Sequence, residues 1–463
     1  MKVGRLDHRG NLDAGIQTGK RDRLETDLAL SHLKTDVQTE LVSRISELGS
    51  APTQVIIREI IEDVCAKVIS TSGLRLDLVD YRRVIKDIID DFLFLGPLQP
   101  FLADDDVTEI AVNGSQCIFI ERFGRMELTG SRFADESHLR RIIDRIGQEV
   151  NRRCDEQSPL MDARLQDGSR VNAVIAPISF NGSALTIRKF NREHMTDSDL
   201  LREESLSPAM LSFLEAAVKG RCSIVVAGGT GSGKTTLLNV LSRFIPTHER
   251  VVTIEDAAEL QLSLENLVAL EARPANIEGV GAVTIYDLVV NALRMRPDRI
   301  VVGECRGIEA LDMINAMTTG HDGSLTTIHA NDVITTFTRL ENMIRRAVQT
   351  YESRTIRAMI AQAIDLVVVV KRFSDGSRKI SSITALMGME ADVITTEELF
   401  RFEQTGAGAR NGKCGSGVMG CFVGCQNPVP ELIKRIESWG GMVDQSWFYD
   451  VCPTTEGIQR ICR

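Results

Sequence analysis

The sequence predicts an α/β protein, with one domain built on a mostly parallel β-sheet that carries helices on both faces. A smaller α/β domain and a helical region precede it. Three observations support this. Over about residues 206–403, apolar runs too short for helices alternate with helical patterns, as buried parallel strands do. A glycine-rich loop at 228–235 joins one such run to a helical stretch. Upstream, short strand patterns are punctuated by Asn-Gly turns and follow a stretch of helical period.

At roughly 150 residues per domain, 463 residues predict two to four folded units. Residues 1–35 mix Gly, Asp, Lys and Arg without periodicity and read as a mobile arm. Across 36–94, apolar residues recur at three and four positions (Val55, Ile56, Ile60, Val64, Val68; Val84, Ile85, Ile88, Ile89, Phe92), which predicts helices. The α/β domain occupies 95–205, with strands at Thr108–Val112, Gln116–Glu121, Val171–Ala176 and Ala184–Lys189 and a helix from about Ser137 to Arg152. Its polar run from Asn191 to Ser207 reads as a linker. In the 206–403 domain the strand runs are Ser223–Ala227, Val251–Ile254, Ile300–Val302, Ser324–Ile328 and Leu366–Val370. Residues 404–463 read as a cysteine-containing tail.

Apolar residues make up 43% and charged residues 25%, ordinary globular usage that excludes wholesale disorder. The net charge of −10 argues against a nucleic-acid partner held by bulk electrostatics. No run approaches the roughly 18 apolar residues of a membrane span, and residues 1–20 lack an apolar signal core, so a cytoplasmic chain is expected. Cys65, Cys117, Cys154, Cys222 and Cys305 then read as small apolar residues in a reducing compartment. Cys414, Cys421, Cys425, Cys452 and Cys462 have irregular spacing, which favours free thiols over a zinc site.

The strongest motif is the phosphate loop Gly228-Gly229-Thr230-Gly231-Ser232-Gly233-Lys234-Thr235, which follows Ile224-Val225-Val226-Ala227 and leads into Thr236-Leu237-Leu238. Its glycines let the backbone turn and aim N–H groups at phosphate oxygens, and the helix amino end adds positive potential. Lys234 is expected at the β- and γ-phosphates and Thr235 on Mg²⁺, with ATP as the nucleotide. Hydrolysis needs acids near that loop. Glu255 closes one strand run and Glu304 another, so Glu304 reads as the metal-side acid and Glu255 as the base that orients water, with the two roles exchangeable. Asp256 and Glu259 rank behind them, as carboxylates that could equally open the next helix. His321 and His329 bracket a short strand; taken alone, each would more often be structural than catalytic.

Taken in order, the loop, IEDAAEL at 254–260, RPDRIVVGE at 296–304 and the two-histidine segment TGHDGSLTTIHAN resemble the type II/IV secretion ATPases. ARPANIEG, LRMRPDRIVVGECRGIEALDM, LGPLQPFL, VTEIAVNG, MDARLQDGSRVN and LTIRKF narrow the resemblance to the CpaF-type (TadA-type) ATPases of tight-adherence, or Flp, pili, over about residues 75–403. The resemblance implies a hexameric motor with a RecA-like ATPase domain, working at the inner membrane through platform proteins. It further implies Glu255 and Glu259 as the acids of the first segment, with Glu259 also near the metal, Glu304 as the Walker B acid, and roles for His321 and His329. Arg170 and Arg188 match N-terminal-domain arginines that approach the γ-phosphate in related motors; without the resemblance they would read as solvated strand residues. Cys305, in place of the usual aliphatic residue, and Ala282, in place of a common acidic one, depart from the pattern. The rival readings are a RecA-type nucleic-acid translocase or helicase, which the 5% aromatic content and acidic balance disfavour, and a nucleotide-regulated scaffold with negligible turnover.

Overall fold

A computed structural model describes residues 54–72, 78–190, 195–275, 280–409 and 416–453, with a few positions between 36 and 44. The expected arm at 1–35, and Cys414 and Cys462, lie outside the described residues. The chain divides into two units, Met1–Asn191 and Arg192–Arg463. The boundary thus falls at the start of the polar run read as a linker, and that run joins the second unit. There it folds because Thr196 and Asp199 form a reciprocal capping box at the start of the helix Asp197–Arg202.

In the first unit, the helices Gln54–Ser72 and Leu78–Leu93 share a small core of Ile61, Val64, Cys65, Val84, Ile88 and Ile89. The spacing of these residues places them on one face of each helix. A six-stranded antiparallel sheet follows: β1 (Val107–Asn113), β2 (Ile118–Arg122), β3 (Arg125–Leu128), β4 (Leu160–Arg164), β5 (Arg170–Val174) and β6 (Ala184–Arg188), in the order β3-β2-β1-β6-β5-β4. Leu139, Ile142, Ile143 and Ile146 of the helix Glu136–Glu149 join its core, and Asp135 caps that helix by accepting from the His138 amide. The two Asn-Gly turns lock together. Gly114, at φ +70°, donates its N–H to Ser183 O at 3.0 Å, and a Cβ there would sit 2.6 Å from Asn181 O, so only glycine fits. The edge strands β3 and β4 were not among the expected elements: β3 is exposed throughout and β4 mixes Asp and Arg with apolar residues, so neither carries a clear apolar alternation.

The second unit is built on a ten-stranded mixed sheet. Its strands are β7 (Ile224–Gly228), β8 (Val251–Glu255), β9 (Leu267–Glu271), β10 (Arg299–Val302), β11 (Leu325–Ile328), β12 (Leu366–Arg372), β13 (Arg378–Glu390), β14 (Val393–Ala409), β15 (Ser416–Gly424) and β16 (Val451–Pro453). They are ordered β16-β15-β14-β13-β12-β7-β11-β10-β8-β9. Pairing is parallel from β12 to β9 and antiparallel from β12 to β16. Ile224 and Val226 face a core that includes Phe213, Leu237 and Ile436. Val225 and Ala227 face the opposite one, with Met313, Ile344 and Ile360. A strand buried on both faces cannot alternate apolar with polar, which is why its sequence reads as an unbroken apolar run.

The tail expected at 404–463 is a correction. Residues 404–409 continue β14, β15 and β16 extend the same sheet, and the helix Pro430–Ser438 packs Leu432, Ile433 and Ile436 into the first of the two cores. Gly406 and Gly408 in β14 and Gly417, Gly420 and Gly424 in β15 hide these strands in the sequence. Cys65, Cys154, Cys222, Cys305 and Cys421 are buried free thiols, and no group of three metal-ligating side chains occurs among the described residues. No helix among the described residues is long and apolar enough to cross a membrane.

At the amino edge of the parallel strands, Arg299 is fully buried. Its Nε donates to Glu249 Oε2 at 2.5 Å, its Nη2 to Glu249 Oε1 at 3.1 Å, and its Nη1 to Val218 O at 2.7 Å. Removing one member of such a pair strands the other charge in the interior. Glu249→Ala is expected to lower the stability of this unit by about 3–5 kcal/mol. Both tryptophans of the chain, Trp439 and Trp447, lie in the unit, so denaturant unfolding followed by their fluorescence measures the loss. A change under about 1 kcal/mol would show that the pair is dispensable.

Candidate active site

The phosphate loop leaves β7 at Gly228 and re-enters regular structure at the helix Lys234–Ser242. Gly231 and Gly233 sit at φ +68° and +96°, the left-handed region that side chains disfavour, and Gly233 is the residue that caps the helix. Gly228 is required by packing. A Cβ there would lie 2.4 Å from Ser232 Oγ and 2.6 Å from Val370 O. Lys234 turns back on the loop, its Nζ donating to Gly229 O at 3.0 Å. Thr235 and Thr236 occupy the first turn, and Leu237, Leu238, Val240 and Leu241 anchor the helix in the interior. Ser232 Oγ is buried without a hydrogen-bond partner among the described residues. A glycine cradle, a helix amino end, a lysine on the cradle and a buried hydroxyl in need of a partner together fit the phosphates of a nucleoside triphosphate.

Glu255 ends β8 and is 3% exposed. Its Oε2 accepts the backbone N–H groups of Glu259 at 2.8 Å and Leu260 at 2.9 Å, so Glu259 meets Glu255 through its main chain. Burial nevertheless pushes the Glu255 carboxyl up to about 7, because desolvation outweighs those two donors. Asn239, on the helix that follows the phosphate loop, ties the acidic segment down. Its Nδ2 donates to Glu259 O at 3.1 Å and its Oδ1 accepts from the Gln261 amide at 2.9 Å.

Glu304 lies just beyond β10, which pairs directly with β8. A Cβ on Gly303 would come within 3.1 Å of Glu255 Cγ, so the glycine between Val302 and Glu304 makes room for the neighbouring acid. Arg306 links the two segments: its Nη2 donates to Glu304 Oε2 at 2.8 Å and its Nη1 approaches Asp256 Oδ2 at 3.5 Å. The Glu304 carboxylate in turn raises the Arg306 guanidinium above its ordinary range. Sequence reasoning missed both Asn239 and Arg306. Their roles depend on which strands are neighbours, and spacing along the chain does not report that.

The two histidines part company. His329 follows β11 at the carboxyl edge, where Thr327 Oγ1 donates to Gly303 O at 2.7 Å and Asn331 Oδ1 lies 3.5 Å from where a Cβ on Gly229 would be. His321 precedes β11, at the opposite edge. Its N–H donates to Ala316 O at 3.2 Å, its carbonyl accepts from Ser324 Oγ, and its Nδ1 is buried without a partner among the described residues. A histidine on each side of one strand cannot reach the same end of it, so the structure does not bring His321 to the phosphate loop of its own chain.

Arg170 and Arg188 belong to the first unit, where they are directly paired between β5 and β6. Arg164 faces Arg170 across β4 and β5, and Glu109 faces Arg188 across β1 and β6, so the row reads Arg164-Arg170-Arg188-Glu109. Three arginines on neighbouring strands form a local cationic row, and Arg164 is a member that the sequence reading did not single out.

The profile of the type II/IV secretion system protein family matches residues 94–417. A putative conjugal transfer protein of Mycobacterium tuberculosis is 35% identical over 304 residues, covering 64% of this chain and 86% of that protein. The type IV secretion system protein PtlH of Bordetella pertussis is 35% identical over 312 residues, covering 62% of this chain and 91% of its own. Among solved structures, the VirB11 ATPase of the Brucella suis type IV secretion system, in complex with sulphate, shares 34% identity at a TM-score of 0.35, covering 62% of this chain and 91% of that one. With a profile match over more than half its length, and with the phosphate loop and acidic segments inside that match, the chain belongs to the type II/IV secretion system protein family.

Proposed function

We propose that the protein is an ATP-hydrolysing motor of a secretion or pilus apparatus, of the CpaF/TadA type that serves Flp pili, with a RecA-like second unit. One observation carries this reading: the phosphate loop, Glu255 and Glu304 all lie at the carboxyl ends of neighbouring parallel strands, where open α/β sheets bind ligands. The resemblance of the first-unit motifs LGPLQPFL, VTEIAVNG and LTIRKF supports the narrower pilus assignment.

Bound ATP with Mg²⁺ would supply the transferable phosphoryl group and its counter-charge. Gly228–Gly233 and the first-turn amides bind the phosphates, Lys234 leaves Gly229 O to reach them, and Thr235 and Glu304 are the residues to hold the metal, with Glu259 behind them. Glu255 takes the water's proton; a carboxyl near 7 is matched to that task at neutral pH. His329 borders the same edge. His321 is retained only as a residue that could act on a neighbouring subunit, which fits the hexamer we infer. On the resemblance, Arg170 and Arg188 are assigned to the charge that develops on the transferred group. Each cycle would then move surfaces that engage inner-membrane platform proteins from the cytoplasmic side. No observation favours a nucleic-acid translocase.

Glu304→Gln is expected to cut ATP turnover at least about 100-fold while leaving nucleotide affinity within about threefold. Turnover is to be measured with and without single-stranded DNA: strong DNA stimulation would point to a helicase, and no turnover in the unaltered protein would point to a scaffold. Arg188→Ala should reduce turnover about 100-fold with nucleotide affinity kept, and unchanged turnover would remove that residue from the site.

Glu255 predicts a pH dependence. Its folded pKa, about 7, lies above the ordinary 4.5, so the folded chain keeps a proton that the unfolded chain releases between those values. The stabilisation is complete below about 4.5 and is lost as pH rises through about 7, while turnover should rise across the same upper limit as the carboxylate forms. Glu255→Gln should flatten the stability profile in that window and abolish turnover. A variant with the same stability slope as the parent would refute the raised carboxyl.

A further inference from the structure

The turn between β12 and β13 brings two more cations to the phosphate loop. Arg378 Nε donates to Gly231 O at 3.0 Å. Where a Cβ on Gly233 would be, Arg378 Cδ is 3.3 Å away, and where one on Gly231 would be, Arg372 Nη1 is 3.3 Å away. The two arginines are direct cross-strand partners, Arg372 opposite Arg378, and the next pair is Lys371 opposite Lys379. Like charges directly opposed across a sheet destabilise it. Two guanidinium groups held together beside the glycine loop are arranged for an anion.

The hairpin is also held rigidly. Phe373 and Ser377 close it by a 2.8 Å backbone hydrogen bond. Asp375 Oδ1 accepts from Ser377 N and Oγ, and its Oδ2 accepts from the Val418 amide of β15 at 2.8 Å. Phe373 packs edge-on against Phe402. Lys379 is drawn away from the loop, donating to Glu204 O at 3.0 Å and lying over the Phe402 ring. Arg372 and Arg378 are exposed on the loop side.

We propose that Arg372 and Arg378 are phosphate-binding residues of the nucleotide site, supplied by the same chain and positioned by the strands that follow the parallel sheet. This inference rests on the phosphate-loop reading above. Their forks contact phosphate oxygens from the side of β7 that carries β12, opposite the side from which Glu304 and Glu255 approach. Bound phosphate would offset the repulsion between the two arginines, so nucleotide would tighten the β12–β13 hairpin.

The test compares Arg372→Gln, Arg378→Gln, Arg378→Lys and Lys234→Ala in the full chain, with Mg-ATP and inorganic pyrophosphate as probes. Each Gln variant should weaken binding of both probes about tenfold or more. Without ligand, its unfolding midpoint should be unchanged or raised, because a like-charge pair has been relieved. Arg378→Lys should recover part of the affinity. The inference is overturned if both Gln variants bind both probes as the parent does while Lys234→Ala does not. It is also overturned if Arg378→Gln lowers the ligand-free midpoint and Arg372→Gln changes nothing, since the hairpin would then be only a prop for the loop. If Lys234→Ala itself binds normally, the phosphate-loop reading fails first.

Discussion

Parallel pairing of β7 with β11 and β12, and of β10 with β11 and β8, sends all these strands out of the sheet at one edge. Everything at the candidate site depends on that constraint. Residues that follow different strands, far apart in the chain, emerge beside one another: the glycine loop after β7, Glu255 at the end of β8, Glu304 after β10, His329 after β11 and Arg372 at the end of β12. Buried runs of Val and Ile hold this arrangement from both faces, and that burial gives the sheet one stable register.

The two edges of the parallel sheet are built differently. At the amino edge, charges are held in ion pairs. Arg299 is locked to Glu249, and Arg435 pairs with Asp365, whose Oδ2 also accepts the Ser223 amide at 2.7 Å. Burial still raises the Asp365 carboxyl to about 6. At the carboxyl edge Glu255 is buried on two backbone amides, Lys234 rests on a loop carbonyl and the more exposed Arg306 reaches two carboxylates.

The antiparallel strands β13–β16 extend a sheet whose parallel part already has both faces covered. Their contribution is local support: the aromatic cluster of Phe213, Phe400 and Phe448 fills the space between the helix Pro208–Lys219 and these strands, and Asp375 joins the arginine hairpin to β15. The C-terminal segment is thereby connected through hydrogen bonds and packing to the phosphate loop.

The sequence by itself determined the phosphate loop, the five buried parallel strands, the helical region and the strand-end positions of Glu255 and Glu304, because glycine geometry and unbroken apolar runs are local properties. Tertiary structure decided the rest. Strand order alone put Arg306 between Glu304 and Asp256 and aligned Arg164 with Arg170 and Arg188. It also turned the glycine-rich residues 404–409 and 416–424, which lack a clear apolar alternation, into strands by giving them a neighbour to pair with. Hydrogen bonding across a sheet and charge pairing between strands are relations between distant segments, and no local pattern encodes which segments become neighbours.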